Sequence, residues 1–142
     1  MHYLRSILFD AAVVILTMVV SLSAPFMALF NASSATVRVV SQFWANGIMF
    51  LMKYVVGLDY RVEGREHVPE GPCIIACNHQ SLWETAALCV IFPDASIVAK
   101  KELRKLPLVG WFLERYPMIL VDRSAGRQAL RQMVDEAKRA VG

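Results

Sequence analysis

Charge is scarce in this chain. Asp, Glu, Lys and Arg make up 19% of its 142 residues, and 15 basic against 12 acidic side chains leave a net charge of only +3. No basic run interleaved with aromatics occurs, so the electrostatic footprint of a nucleic-acid binder is missing and nucleic acid is excluded as a partner. Cysteine is rare as well: Cys73, Cys77 and Cys89 form neither a Cys-x-x-Cys pair nor a zinc spacing with the three histidines. That rules out a disulfide framework and a Cys/His metal site. The three thiols read instead as core residues in a reducing compartment, and nothing beside Cys77 activates it as a nucleophile. Neither an internal repeat nor a low-complexity tract is present, which excludes solenoids and disordered tails.

What is present is apolar: 56% of the residues are hydrophobic, and the mean hydropathy is +0.45. A chain of this length supports one domain with a modest core. The apolar residues crowd the N-terminus. Residues 11–30 carry no formal charge, matching the roughly 20 that cross a ~30 Å hydrocarbon core as a helix. Two other readings stay open at this point. One is a secretory signal cleaved after Ser21-Leu22-Ser23, against which Asp10 argues; the other is a buried core helix kinked or ended at Pro25. Residues 39–52 are again uncharged, between Arg38 and Lys53. That run is too short to span comfortably and suits an interfacial or re-entrant helix with Trp44 at headgroup depth, or a soluble helix covering a sheet. Residues 1–56 therefore form a hydrophobic anchoring segment, and Arg5, Arg38 and Lys53 are too few to fix its orientation.

From Val56 onward Gly, Pro and charges punctuate short apolar runs, so residues 57–142 are expected to be an α/β domain. Residues 58–64 alternate like a strand. Residues 69–72 (Pro-Glu-Gly-Pro) make a turn, and the continuous apolar run 73–77 fits a strand buried on both faces. Residues 81–92 have helical spacing through Leu82, Ala86, Cys89 and Val90. Residues 97–99 and 118–121 read as further strands around a helical piece at 108–116. Ser124 can cap a last helix with Leu130, Met133, Val134, Ala137 and Val141 on one face and Arg131, Asp135 and Arg139 pairing at i,i+4 on another.

The chemistry gathers in Asn78-His79-Gln80-Ser81-Leu82-Trp83-Glu84. Imidazole is the usual side chain for taking a proton at neutral pH, and a carboxylate on its other nitrogen fixes the tautomer and stabilises the imidazolium. Five residues apart on one helix would set the two side chains about 140° apart. Contact therefore requires His79 in the loop before the helix and Glu84 in its first turn. The same helix start would offer free N–H groups to an anion or a developing oxyanion. Against this stands a purely structural alternative, because Ser81-x-x-Glu84 is also a capping box in which Glu84 returns a hydrogen bond to the Ser81 backbone.

Several elements occur together in order: His79 with an acid five residues later, Lys100-Lys101-Glu102-Leu103, Pro107 with Gly110-Trp111, and Ile119-Leu120-Val121-Asp122-Arg123. The lead-in Val62-Glu63-Gly64-Arg65-Glu66-His67-Val68-Pro69 and the apolar N-terminal helices agree with them. In this combination the chain resembles the glycerolipid acyltransferases, in particular the bacterial 1-acyl-sn-glycerol-3-phosphate (lysophosphatidate) acyltransferases, over about residues 55–123.

The resemblance implies an α/β domain with a mixed sheet flanked by helices, following membrane-associated N-terminal helices. It implies transfer of an acyl group from acyl-CoA or acyl-carrier protein, as co-substrate, to a lysophosphatidate hydroxyl, giving phosphatidate; no cofactor and no metal are called for. His79 would be the general base and Glu84 its orienting acid. Arg123 would hold the acceptor phosphate, a task for which a guanidinium is well shaped. Asn78, Gln80 and Ser81 would line the substrate site, and Lys101, within the cluster of Lys100, Arg104 and Lys105, would meet lipid headgroups or donor phosphates if that cluster is not simply solvated. Asp122 would orient Arg123 or cap the next helix. The partners would be membrane lipids, lysophosphatidate and the acyl donor, at a bacterial inner membrane with the catalytic domain facing the cytoplasm.

The chain departs from the family pattern at Glu84, where Asp is commoner, and at Pro117, where Gly is common. The family's later Phe-Pro-Glu-Gly-Thr-Arg block and Val/Pro-rich block are absent, so the domain is expected to be C-terminally incomplete, with strands missing from its sheet. The alternatives are a non-catalytic membrane-anchored fragment of such an enzyme, or an acyltransferase for another lysolipid.

Overall fold

A computed structural model describes residues 2–81, 83–116 and 118–141. Leu82, the Pro117 departure and the side chain of Val141 lie outside the described residues.

Helix α1 (His2–Ser21) stops at Leu22 and Ser23, and α2 (Ala24–Leu29) restarts with Pro25 in its first turn. There the missing N–H costs nothing, whereas inside α1 it would have broken a hydrogen bond. Asn31 turns the chain at φ 47°. The Ser33 side chain then accepts from Thr36 N at 3.2 Å and caps α3 (Ser34–Leu51). A π-helical turn, Met52–Val56, prolongs α3 until Gly57 closes it at φ 84°.

Two apolar segments, Tyr3–Leu29 (27 residues) and Ser34–Val56 (23 residues), are thus long and apolar enough to cross a membrane. The second is longer than the uncharged run at 39–52 suggested, because the helix takes in Arg38 and Lys53 rather than ending at them. Only 11% of the 18-residue apolar window in each is buried, which is not the burial of a core helix. Leu4, Ile7, Ile15 and Met18 of α1 and Val39, Phe43 and Phe50 of α3 all stand exposed.

The inward side of α3 is occupied by α4 (Trp83–Ile91). Ala45, Ile48 and Met49 bury against Ala86, Ala87 and Cys89, with Val13 and Leu16 of α1 closing the cluster. Arg38 Nη1 donates to Pro93 O (3.2 Å) and Asp94 Oδ1 (2.6 Å), and Gln42 Nε2 donates to Cys89 O (2.6 Å). Partners fall in α4 sequence number as they rise in α3, so the two helices run antiparallel.

After α4 comes β1 (Ile97–Lys100), then a 3-10 turn (Lys101–Lys105), α5 (Val109–Arg115), β2 (Met118–Val121), a second 3-10 turn (Arg123–Ala125) and α6 (Arg127–Val141). The strands pair in parallel with Ile97 opposite Met118 and Lys100 opposite Val121, and α5 makes the crossover that parallel pairing demands. Ile119 and Val121 bury one face of β2 against Ala129 of α6, with Met133 and Ala137 beside it. On the other side Phe112 and Tyr116 pack on Ala24, Met27 and Val37 of α2 and α3.

The helices at 81–92, 108–116 and the C-terminus and the strands at 97–99 and 118–121 match the expected elements to within a few residues. The strands expected at 58–64 and 73–77 are not formed: both segments lack regular structure, and Ile74 is 94% exposed. Among the described residues the sheet has two strands, so those segments have no ladder neighbour. The expected mixed sheet is therefore a small parallel one. Cys73 and Cys77 are exposed with their segment, correcting their reading as core; Cys89 is buried. Ser124 does not cap α6 but donates to Asp122 in the 3-10 turn ahead of it. Leu130 and Val134 are exposed, and Arg139 pairs with Glu136 (3.2 Å) rather than with Asp135.

Gly110 in α5 is fixed by contact rather than by its dihedrals: a Cβ there would collide with the backbone carbonyl of Arg104. Gly110→Ala is expected to cost about 1–3 kcal/mol, the range for forcing a methyl into occupied space. Asp94→Ala, which breaks an ion pair with one partner 91% exposed, should cost less than about 1 kcal/mol. Chemical denaturation of the two variants side by side checks the ranking.

Candidate active site

Residues 78–80 run without regular structure to Ser81, and α4 begins at Trp83. The bend is built by Glu84. Its Oε1 accepts from Gln80 N at 2.9 Å, and its Oε2 accepts from Ser81 N and Ser81 Oγ, both at 2.9 Å. Ser81 Oγ in turn accepts from Trp83 N at 3.2 Å. This is the reciprocal capping arrangement that Ser81-x-x-Glu84 encodes, extended back by one residue. The N–H groups of Gln80, Ser81 and Trp83 are therefore already engaged. This corrects the expectation that the helix start holds them free for an anion.

The same bend brings His79 to the carboxylate: His79 Nδ1 lies 3.7 Å from Glu84 Oε2. That is beyond hydrogen-bond distance for the neutral ring but well within ion-pair range once the ring carries a proton. The imidazole is 64% exposed and the carboxylate 17%, so a solvent-facing ring sits over a largely covered anion. Hydrogen bonds from the Gln80 backbone foremost, and from the Ser81 hydroxyl and backbone, lower the Glu84 carboxyl from its usual 4.5 to about 2. Glu84 is consequently ionised at any pH where His79 could act, and it is too weak a base to take the proton itself.

Asn78, Gln80 and Ser81 are exposed beside His79, with the Ser81 hydroxyl committed to the cap. Lys101 and Arg123 lie elsewhere, each one or two residues past the C-terminal end of a strand: Lys101 after β1 and Arg123 after β2. Parallel pairing puts these two strand ends side by side, and Lys101 Nζ stands 4.0 Å from Asp122 Oδ2. Asp122 accepts from Ser124 N (3.0 Å) and Oγ (2.5 Å), capping its turn and lowering its own carboxyl. Arg123 is exposed, and among the described residues no hydrogen bond or ion pair engages its guanidinium or links it to the His79 corner. Of the basic cluster, Arg104 is held by Glu114 at 2.6 Å, while Lys100 and Lys105 are exposed.

Trp83 was not singled out by its sequence. Its indole N–H is buried with no hydrogen-bond partner among the described residues, and its ring meets Tyr60 edge-on at 5.8 Å. Its position between the two site residues was the available signal. Among the described residues no cluster of His, Cys, Asp and Glu is arranged to hold a metal ion.

The Acyltransferase family model matches residues 59–141, more than half of the chain. A 1-acyl-sn-glycerol-3-phosphate acyltransferase of Pseudomonas aeruginosa is 40% identical over 102 residues, covering 72% of this chain and 40% of that protein. The enzyme of the same name from Saccharomyces cerevisiae is 37% identical over 81 residues (56% and 27%). A human 1-acyl-sn-glycerol-3-phosphate acyltransferase beta is 31% identical over 91 residues (63% and 33%). The chain thus spans 40% or less of the length of these curated relatives, and no solved structure gives a significant match. With the family model covering the whole stretch from Asp59 through the His79 corner to α6, the chain belongs to the glycerolipid acyltransferase family.

Proposed function

We propose that the full-length protein transfers an acyl group from acyl-CoA or acyl-carrier protein to the free hydroxyl of lysophosphatidate, making phosphatidate for phospholipid synthesis. The observation that carries this reading is the 3.7 Å approach of His79 to a carboxylate pinned by its own helix cap. The acceptor hydroxyl oxygen attacks the thioester carbonyl carbon as His79 takes its proton. The tetrahedral intermediate then collapses, the C–S bond breaks, and the imidazolium returns the proton to the leaving thiolate. Through those steps Glu84 stays anionic and offsets the charge on the ring. Transfer is direct, so no nucleophilic side chain is needed.

Arg123 would take the acceptor phosphate, which its freedom from internal partners permits, and Lys101 would add positive charge at the neighbouring strand end. Asn78 and Gln80 would flank the reacting hydroxyl. The exposed apolar faces of α1 and α3 support anchoring in a bilayer, and the proposed site is a bacterial inner membrane with the α/β domain on the cytoplasmic side. The names of the relatives support lysophosphatidate as acceptor over other lysolipids.

His79→Ala is expected to lower kcat for phosphatidate formation by about 10²–10⁴, the usual worth of a general base. Wild-type turnover in that variant would overturn the assignment. Glu84→Gln keeps one acceptor oxygen for the cap but removes the charge and the second acceptor, so it should lower kcat and also lower thermal stability above about pH 4.5, where the ionised carboxylate holds the cap.

Because the Glu84 carboxyl is depressed in the folded protein, its contribution to stability is complete above about pH 4.5 and is lost as pH falls toward 2. No Glu84 ionisation should therefore shape the pH–rate profile above about pH 5, which a comparison of the wild-type and Glu84→Gln profiles checks.

Replacing Ile7, Ile15 and Met18 together by Ser should shift the protein from the alkaline-washed membrane pellet to the soluble fraction. An unchanged pellet would argue against α1 as an anchor.

A further inference from the structure

An open groove of about 800 Å³ runs between α3 and the chain at 59–62. Its floor is one stripe of α3, made by Phe43, Asn46 and Phe50 at helical spacing, with Tyr54 beyond them and its ring 4.5 Å from that of Phe50. Asn46 is turned back on its own helix, where Nδ2 donates to Gln42 O at 2.8 Å, so its amide does not break the apolar character of the floor. Tyr60 and Val62 form the facing wall. The ion pair of Lys53 and Asp59 at 2.7 Å ties wall to helix and puts charge at one end. The groove is therefore amphiphilic along its length, apolar at Phe43 and polar at Lys53.

Two observations say what fills it. Phe43 and Phe50 are 64% and 60% exposed and belong to the bare side of α3, so the groove opens onto the apolar surface that faces lipid under the anchoring reading. An occupant can enter from a bilayer without crossing water, whereas a CoA or carrier-protein thioester arrives from water. The polar end, in turn, touches the catalytic corner: Tyr60 meets Trp83 edge-on at 5.8 Å, and Trp83 directly precedes Glu84. From Phe43 to Lys53 the helix rises about 15 Å at 1.5 Å per residue, which is half of a ~30 Å hydrocarbon core and so the depth of one leaflet's chains.

We propose that this groove seats the single acyl chain of the acceptor lysolipid, its glycerol end at Lys53 and Asp59 and its methyl end at Phe43. The inference rests on the acyl-transfer reading above. A chain leaving a bilayer is already in apolar surroundings, so the groove contributes orientation more than affinity: it fixes the direction from which the hydroxyl reaches His79. The floor is one side chain wide, which gives the second chain of the product no equivalent seat.

The test uses the protein in phosphatidylcholine vesicles with lysophosphatidate that carries a diazirine either beside its ester or at its chain end, photolysed and mapped by peptide mass spectrometry. The ester-side probe should label Tyr54 and Tyr60, and the chain-end probe Phe43. Excess unlabelled lysophosphatidate should remove both signals. A phosphatidylcholine with the same diazirine should label the bare face of α1 at Ile7 and Ile15 and leave the groove unlabelled. Asn46→Trp, which fills the floor, should abolish groove labelling and lower kcat/KM for lysophosphatidate about tenfold with the donor KM unchanged. The proposal is overturned if the two probes label the same residues, if unlabelled lysophosphatidate does not compete, or if Asn46→Trp is labelled like wild type. Should Asn46→Trp fail to fold, the order of labelling and the competition decide. Ordered, competed labelling in a protein that makes no phosphatidate would keep the groove as a lysolipid seat and remove the acyl-transfer reading; turnover with an unlabelled groove would do the reverse.

Discussion

The carboxylate of Glu84 is the point on which the site turns. It gathers the N–H of Gln80 and both the N–H and the hydroxyl of Ser81, and by doing so stops α4 from extending backward and bends the chain just after His79. Were residues 79–84 one continuous helix, the imidazole and the acid would point about 140° apart. The cap is what converts a five-residue separation into a 3.7 Å approach. The helix cap and the approach of His79 to Glu84, which look like rivals in the sequence, are therefore two consequences of one set of hydrogen bonds.

That dual use has a chemical consequence. A carboxylate accepting several donors holds its proton weakly, so Glu84 is a fixed negative charge and not a link in a proton relay. Its role toward His79 is electrostatic, and it grows as the ring becomes positive. The longer Glu side chain fits this arrangement: Oε1 accepts from Gln80 N and shares Ser81 N with Oε2, while Oε2 still faces the ring. At 3.7 Å no hydrogen bond as such is formed, so between a protonated ring and Glu84 the contact is a charge pair.

Most of the helical frame was legible because helices carry their own signals, such as the apolar periodicity of 81–92 and Pro25, next to which α1 gives way to α2. The strands divided according to where their partners lie. Residues 97–100 and 118–121 find each other across α5 and form a ladder, whereas 58–64 and 73–77 have the composition of strands but no neighbour to pair with. Strand character is a property of a pair, and a single segment's alternation cannot report whether the other half is there. The same reasoning explains the cysteines: Cys89 is buried by helix packing, while Cys73 and Cys77 would have needed a sheet around them. Charged residues misled in the other direction. Arg38 looked like the boundary of an apolar run, yet it lies inside α3 because Pro93 and Asp94 receive its guanidinium from the next layer.

Arg38 also bears on how the site meets lipid under the proposed reading. Antiparallel packing ties positions along α3 to positions along α4: Arg38 to the end of α4, Gln42 to Cys89, and Met49 to the cluster that includes Trp83. The start of α4, and with it His79, therefore stands beside the Met49 to Lys53 stretch of α3. On the opposite side of the same helix Val39, Phe43 and Phe50 are bare. If that bare side lies against acyl chains, the depth of α3 in the bilayer also sets the depth of the imidazole, with Lys53 and its partner Asp59 at 2.7 Å marking the polar level. An enzyme whose acceptor carries its hydroxyl a short distance below a phosphate needs its base at a fixed height. A helix shared between membrane and domain is a rigid way to set that height, where a flexible tether would leave the base free to wander.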